Sequence, residues 1–365
     1  MILLCYLLFL IYAITIVMLI HGFSKIKNYT VNSPGPKNRF TIVVPFRNEA
    51  KNLPNLLQSL SELNYPKELY ELILVDDDSA QLFRPENYGF KISVINNKRV
   101  SPSPKKDAIL SAINLVSTDW IITTDADCTA GPEWLTTYDS YIQQQQPEMI
   151  AGAVAYSVKD LFLHHFQQLD LSSLQGATIG TFGINNAFMC NGANFAYTKS
   201  LFMELGGFKG NDSIASGDDV FLLQKAVARF PGKVHYLKAG TAVITTKPLN
   251  NWKSLFYQRV RWASKTTSYQ SNFGKFLALS VFAGNCSWLL AFSYSLITAS
   301  IFCLPILLMK ILIDYILINQ TNFFLKKKTV SYIKGSLFYP FFSTTVALYS
   351  IFGKYEWKGR HFNSR

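Results

Sequence analysis

Charge is scarce in this chain. Asp, Glu, Lys and Arg make up 16% of its 365 residues, against 49% hydrophobic and 15% aromatic. Such a balance excludes a disordered chain, and 20 Gly with 14 Pro exclude a collagen-like one. Cysteine is equally thin. Cys5, Cys128, Cys190, Cys286 and Cys303 form no C-x-x-C pair, which excludes a disulfide scaffold and a thiolate zinc site. His164 and His165 are adjacent, so they lack the i, i+4 spacing of helical zinc ligands and read as helix surface. No G-x-G-x-x-G follows the first strand-like run, and no Walker lysine loop occurs, which weakens a dinucleotide or P-loop reading. Acidic residues are the minority, 23 against 35 basic, for a net charge of +12. The excess basic residues flank apolar runs, where they read as topology and headgroup contacts rather than nucleic-acid binding.

What the chain has in quantity is apolar sequence. Residues 2–20 carry no charge, and about 20 apolar residues span a bilayer. No basic residue precedes this run, so it reads as an uncleaved anchor (residues 1–24) rather than a signal peptide. Lys25, Lys27, Lys37 and Arg39 follow, which by the positive-inside rule places the next segment in the cytoplasm. A second apolar block, residues 276–318, has room for two spans of about 20 residues. Its Lys310 and Asp314 are four apart and can pair, and they read as snorkelling at the membrane edge. A third run, 335–353, contains Pro340. If it spans, the basic tail 354–365 lies outside, against the charge rule; otherwise the run is re-entrant or interfacial. The membrane region therefore covers 276–353 with two or three spans.

Between these runs the pattern changes. Residues 40–45, 72–75, 91–95 and 120–124 are short, β-branched strand signals. Residues 53–63 and 106–116 between them have helical patterning. The alternation predicts an α/β domain over 40–246 with an open parallel sheet, buried on both faces. Ligands of such sheets bind at the carboxyl ends of the strands. The acidic clusters fall there: Asp76-Asp77-Asp78 after the second strand and Asp125-Ala126-Asp127 after the fourth.

A third acidic group is Asp218-Asp219 in Ser216-Gly217-Asp218-Asp219. Carboxylates gathered at one edge repel unless a cation compensates them. Hard oxygen donors with substrate phosphates suit Mg2+ or Mn2+, and such an ion can hold a nucleotide diphosphate as leaving group. Each group also has a structural alternative. The Asp77 cluster can close a turn, and Ser216-x-x-Asp219 can cap a helix over 220–229. A fourth element, Gln258-Arg259-Val260-Arg261-Trp262, lies on an amphipathic interfacial segment, 247–275. Gln258, Arg261 and Trp262 share one helix face there, roughly opposite Trp252, Leu255, Phe256 and Val260.

The ordered series Val43-Val44-Pro45-Phe46-Arg47-Asn48-Glu49, Val75-Asp76-Asp77-Asp78-Ser79, Asp125-Ala126-Asp127, Gly217-Asp218-Asp219 and Gln258-x-x-Arg261-Trp262 resembles membrane-bound family 2 glycosyltransferases with a GT-A fold. It is similar to ceramide glucosyltransferases and to cellulose and hyaluronan synthases. The resemblance implies a Rossmann-like open sheet with an N-terminal anchor and C-terminal membrane helices. It implies a nucleotide-sugar donor, a UDP-sugar first, and a lipid or lipid-linked acceptor at the cell (inner) membrane. Pro45, Glu49, Asp77, Lys106 and Asp125 would line the donor site, with Asp77 on the uridine. Asp125 and Asp127 would hold the metal, and Asp219 would be the general base. Cys190, Asn191, Gly192, Asp218, Gln258, Arg261 and Trp262 would serve the acceptor and diphosphate. An elongating polysaccharide synthase and a non-catalytic sugar-binding protein are the alternatives.

Overall fold

A computed structural model describes residues 2–32, 35–211, 214, 216–357 and 360–363, the last stretch from 354 by its backbone alone. Lys358 and Arg365 of the basic tail lie outside the described residues. The chain opens with helix α1 (Ile2–Lys25). It continues through β1 (Phe40–Phe46), α2 (Leu53–Ser61), β2 (Tyr70–Asp76), β3 (Lys91–Asn96), α3 (Pro104–Ile113), β4 (Trp120–Thr123) and β5 (Cys128–Thr129). Then come α4 (Trp134–Gln145), β6 (Met149–Gly152), β7 (Val154–Tyr156), α5 (Phe162–Gly183), β8 (Phe195–Thr198), α6 (Lys199–Glu204), α7 (Asp218–Arg229), β9 (Val234–Leu237) and β10 (Ile244–Thr246). Helices α8 (Trp252–Ala263), α9 (Asn272–Thr298), α10 (Leu304–Phe324) and α11 (Tyr332–Phe352) follow, then a hairpin of β11 (Lys354–Trp357) and β12 (Arg360–Asn363).

Two units divide these elements. Residues 27–157 and 188–247 form the sheet unit, and 1–26, 158–187 and 248–365 form the helical unit. The sheet unit is a mixed α/β fold with an open sheet. Its main sheet runs β3-β2-β1-β4-β8-β6-β9. Strands β1 and β2 are buried nearly throughout, as unbroken apolar runs between covered faces require. Helix α2 turns Leu53, Leu56, Leu57 and Leu60 inward, an i, i+3, i+4, i+7 stripe that fills the core beneath the sheet.

The expected parallel sheet is parallel only in part. β3, β2, β1 and β4 run parallel, but β8 is antiparallel to β4, with Phe195 opposite Thr123. An antiparallel strand starts where its neighbour ends. The turn that leads into β8, at Gly192, therefore stands at the carboxyl end of β4.

In the helical unit, α1, α9 and the stretch Ile301–Phe324 are long and apolar enough to cross a membrane, at mean hydropathies of 2.8, 1.6 and 2.4. Helix α11 is continuous through Pro340 but is not among them. Lys310 and Asp314 do pair, at 2.8 Å, but they do not snorkel. Lys310 is 3% exposed, and Tyr12 of α1 donates to the same Asp314 carboxylate, because the face carrying both residues turns toward α1. Helix α5 packs on α1 with the two backbones nearly touching. A Cβ on Gly183 would lie 1.9 Å from the Gly22 carbonyl oxygen, and one on Gly180 would lie 2.5 Å from that of Leu19. His164, expected on a surface, is buried in the first turn of this enclosed helix, while the half-buried His165 bonds Asp160 at 2.8 Å.

Candidate active site

The carboxyl edge of β1, β2 and β4 gathers the acidic clusters. After β2 the chain turns through Asp76-Asp77-Asp78. Asp76 accepts from the Ser79 amide at 2.9 Å and closes the turn. Asp77 is buried. Asn97 donates to its carboxylate at 2.7 Å, and Arg99 stands 3.5 Å away. Arg99 also reaches Asp107 at 3.3 Å. Arg47, beyond the end of β1, donates to the carbonyls of Asp77 and Asp78 and to the Asp78 carboxylate. These bonds fix the loop after β1 against the loop after β2. Pro45 lies in β1 beside Val75, and the Glu49 carbonyl receives the amides of Asn52 and Leu53 at the start of α2.

After β4, Asp125 and Asp127 follow at half-buried positions. The ammonium of Lys105 lies 2.8 Å from Asp125 and 3.6 Å from Asp218, so one cation bridges two carboxylates that would otherwise repel. Burial disfavours its charge. Asp125, Asp218 and Asp219 more than offset this and hold the ammonium pKa above the usual lysine value. The sequence pointed to Lys106 for this place. The structure turns Lys106 away, 1% exposed, to donate to the carbonyls of Asn211 and Ile214. One residue along a helix turns the side chain about 100° and exchanges the two roles.

Asp219 is built into the same edge. Helix α7 opens at Asp218 with Gly217 as N-cap at φ 85°, and no side chain caps it. The capping alternative for Ser216 is thereby replaced, since Ser216 precedes the cap. One Asp219 oxygen accepts from the Val220 amide and the other from the Gly192 amide, both at 2.8 Å. The Gly192 carbonyl in turn accepts from the Thr123 hydroxyl at 2.7 Å. A side chain at position 192 would place its Cβ 3.3 Å from Asp218 Oδ2 and from Asp219 Cβ and Oδ2, so only glycine fits without displacing them. Cys190 and Asn191 precede this turn; Cys190 is buried, and the Asn191 side chain accepts from the Ala193 amide at 3.0 Å.

The donor set suits a hard divalent cation. Mg2+ and Mn2+ take one or two carboxylates plus substrate phosphate oxygens, and Asp125 and Asp127 would supply the first part. Among the described residues no three His, Cys, Asp or Glu side chains converge as a ready-made cage. Substrate would have to complete the coordination.

Gln258, Arg261 and Trp262 lie on α8 in the helical unit, all half-buried, with Leu255 and Val260 turned inward. Sequence reading passed over Lys105, Arg99, Thr123 and Arg259. A usable signal existed for Arg99, which lies three residues past the end of β3, at the edge where ligands bind.

Residues 41–206 match Glycosyl transferase family 2. The matched segment holds Asp77, Asp125, Asp127 and Gly192, and α7 with Asp219 follows it. The chain is 26% identical over 238 residues to the "Probable glycosyltransferase YdaM" of Bacillus subtilis (strain 168), covering 62% of this chain and 54% of YdaM. It is 35% identical over 105 residues to the undecaprenyl-phosphate 4-deoxy-4-formamido-L-arabinose transferase of Photorhabdus laumondii, covering 26% of this chain and 31% of that one. The chain thus spans about half the length of the first relative and less than a third of the second. In fold it is similar to the mannosyltransferase PcManGT from Pyrobaculum calidifontis, with TM-score 0.53 and 15% identity over 93% of this chain and 99% of that one.

Proposed function

We propose that the protein is an inverting glycosyltransferase of a cell (inner) membrane. It moves a sugar from a nucleotide-sugar, a UDP-sugar in the first instance, to a lipid or lipid-linked hydroxyl. One observation carries this reading: a carboxylate, Asp219, is fixed by the Gly192 and Val220 amides beside the Lys105–Asp125 pair at the carboxyl edge of β4. Inversion needs such a base opposite a departing diphosphate. Asp219 takes the acceptor proton as the acceptor oxygen bonds to the anomeric carbon, and the nucleoside diphosphate leaves with the bonding pair. Lys105 supplies positive charge at the leaving-group end. Asp125 and Asp127 would hold Mg2+ or Mn2+, which would offset the charge of the diphosphate. Asp77, with Asn97 and Arg99 around it, offers hydrogen bonds to the base. Gln258, Arg261 and Trp262 serve the diphosphate and acceptor.

The comparisons support parts of this reading. The Photorhabdus relative is named for undecaprenyl phosphate, a membrane lipid, and PcManGT was solved in complex with GDP-Man and Mn2+. The three apolar helices supply a reason to work at a bilayer, and Lys25 at the end of α1 with Lys27 just past it supports a sheet unit in the cytoplasm, where nucleotide-sugars are.

The deciding experiment incubates purified protein in detergent with a panel of UDP- and GDP-sugars and a membrane lipid extract, with and without Mn2+. Metal-dependent transfer of one sugar to an organic-soluble product is expected. A long water-soluble polymer would favour the elongating synthase, and no transfer from any donor would overturn the reading.

A further inference from the structure

The glycosyltransferase family match ends before α8, yet α8 is held by a contact that its own motif does not include. Arg259 lies inside Gln258-Arg259-Val260-Arg261-Trp262, between residues that the reading above assigns to substrate. Its Nε stands 2.5 Å from Asp170 Oδ2 of α5, and both side chains are 6% exposed. Its Nη1 donates to the Gln258 side-chain carbonyl. Its guanidinium lies 4.1 Å from the centroid of the Trp262 ring. One planar cation thus touches two of the three motif residues and is itself fixed by a buried carboxylate.

We propose that Asp170 is a positioning residue for the motif, acting through Arg259. The proposal rests on reading Gln258, Arg261 and Trp262 as the acceptor and diphosphate element.

Three observations support it. First, α5 grips this segment twice on one face. Gln167, three residues before Asp170, exchanges two 2.8 Å hydrogen bonds with the backbone of Leu249, just ahead of α8. Second, α5 is itself immobilised. Ser172 donates to Asn322 of α10 at 2.6 Å, and a Cβ on Gly176 would meet the Thr321 hydroxyl at 2.5 Å. Third, a buried ion pair is a poor way to gain stability, because desolvation consumes most of its attraction and an apolar pair does as well. What a guanidinium adds is geometry: a rigid fork that bonds in its plane and stacks on its face. Bonded to Gln258 on one side and stacked on Trp262 on the other, it fixes the rotamers of both.

The test replaces the pair with an apolar one of similar size, Asp170→Leu with Arg259→Met, and in a second protein makes Arg259→Lys. Transfer is assayed beside hydrogen exchange over residues 258–262. The double variant is expected to fold, to exchange faster over 258–262, and to lose about 10²-fold in kcat/KM for the lipid acceptor, the scale of a misplaced substrate-binding group. Lysine keeps the charge opposite Asp170 but not the fork, so Arg259→Lys should fall in the same direction. A purely structural pair predicts wild-type transfer in any variant that folds. A folded double variant with unchanged transfer overturns the proposal, whatever its exchange. If the double variant does not fold, Arg259→Lys decides, and wild-type transfer by it overturns the proposal. If the wild-type protein transfers no sugar, the functional reading falls on its own. Exchange then decides by its extent: faster exchange confined to 258–262 in the double variant upholds the positioning claim, whereas unchanged exchange, or loosening of the whole of α8, sinks it.

Discussion

Asp219 is fixed before any substrate arrives, because both of its oxygens accept backbone amides. Asp219→Asn keeps the size and one of the two amide hydrogen bonds, since its NH2 cannot accept from a backbone N–H, and it cannot take a proton. It should bind donor nucleotide normally while transfer falls by about 10²–10⁴-fold, the usual weight of a general base. Calorimetry for binding and a radiolabelled-sugar assay for transfer separate the two. Unchanged transfer would mean that the attacking oxygen belongs to a phosphate, which arrives already ionised. Gly192→Ala tests the same carboxylate from the other side. Its methyl group would press on Asp218 and Asp219 at 3.3 Å, so transfer should fall at least tenfold while thermal stability changes by about 1–3 kcal/mol, the range for overpacking. Asp127→Ala should remove Mn2+-dependent nucleotide binding. Nucleotide affinity that stays the same in chelator would take Asp127 out of the metal site.

At the scale of elements, some of the chain was plain from its residues and some was not. Strands β1, β2, β3 and β4 fell within a residue or two of their apolar runs, because each is a compact stretch closed by polar residues or Pro. The direction of β8 was not legible, since a strand's residues encode its burial and not its orientation. Nor was α5. Its Gln167, Gln168, Ser172, Gln175, Thr178 and Thr181 are buried without an apolar stripe, because glycines bring neighbouring backbones close and polar partners satisfy the side chains. The acidic edge was readable as three separate clusters. Lys105 between them was not, since choosing between adjacent lysines needs the phase of α3. The close α1–α5 approach carries its own prediction. Gly183→Ala would drive a methyl group into the Gly22 carbonyl, so the protein should unfold in detergent at a clearly lower temperature, whereas Gly210→Ala, in open space, should be far milder, its cost limited to backbone strain at φ 85°.

For the molecule as a whole, orientation is the measurable quantity. A cysteine introduced at the exposed Leu82 should stay unlabelled by an impermeant maleimide on intact cells and react after permeabilisation. Labelling of intact cells would reverse the assignment of the sheet unit to the cytoplasm. The placement of α5 has a further consequence, for how the chain is made. Residues 158–187 sit in the middle of the sheet unit's sequence but belong with α1 and the C-terminal helices. No cut at either end can therefore release the sheet unit alone. A fragment of residues 40–246 would carry α5 without the Gly22 surface it fits, and it should need detergent to stay in solution. During synthesis, α1 is complete well before α5 emerges, while α9, α10 and α11 come last. In chain order, the first helix pair available to the helical unit is thus the glycine seam between α1 and α5, ahead of β8, which completes the edge that carries Gly192.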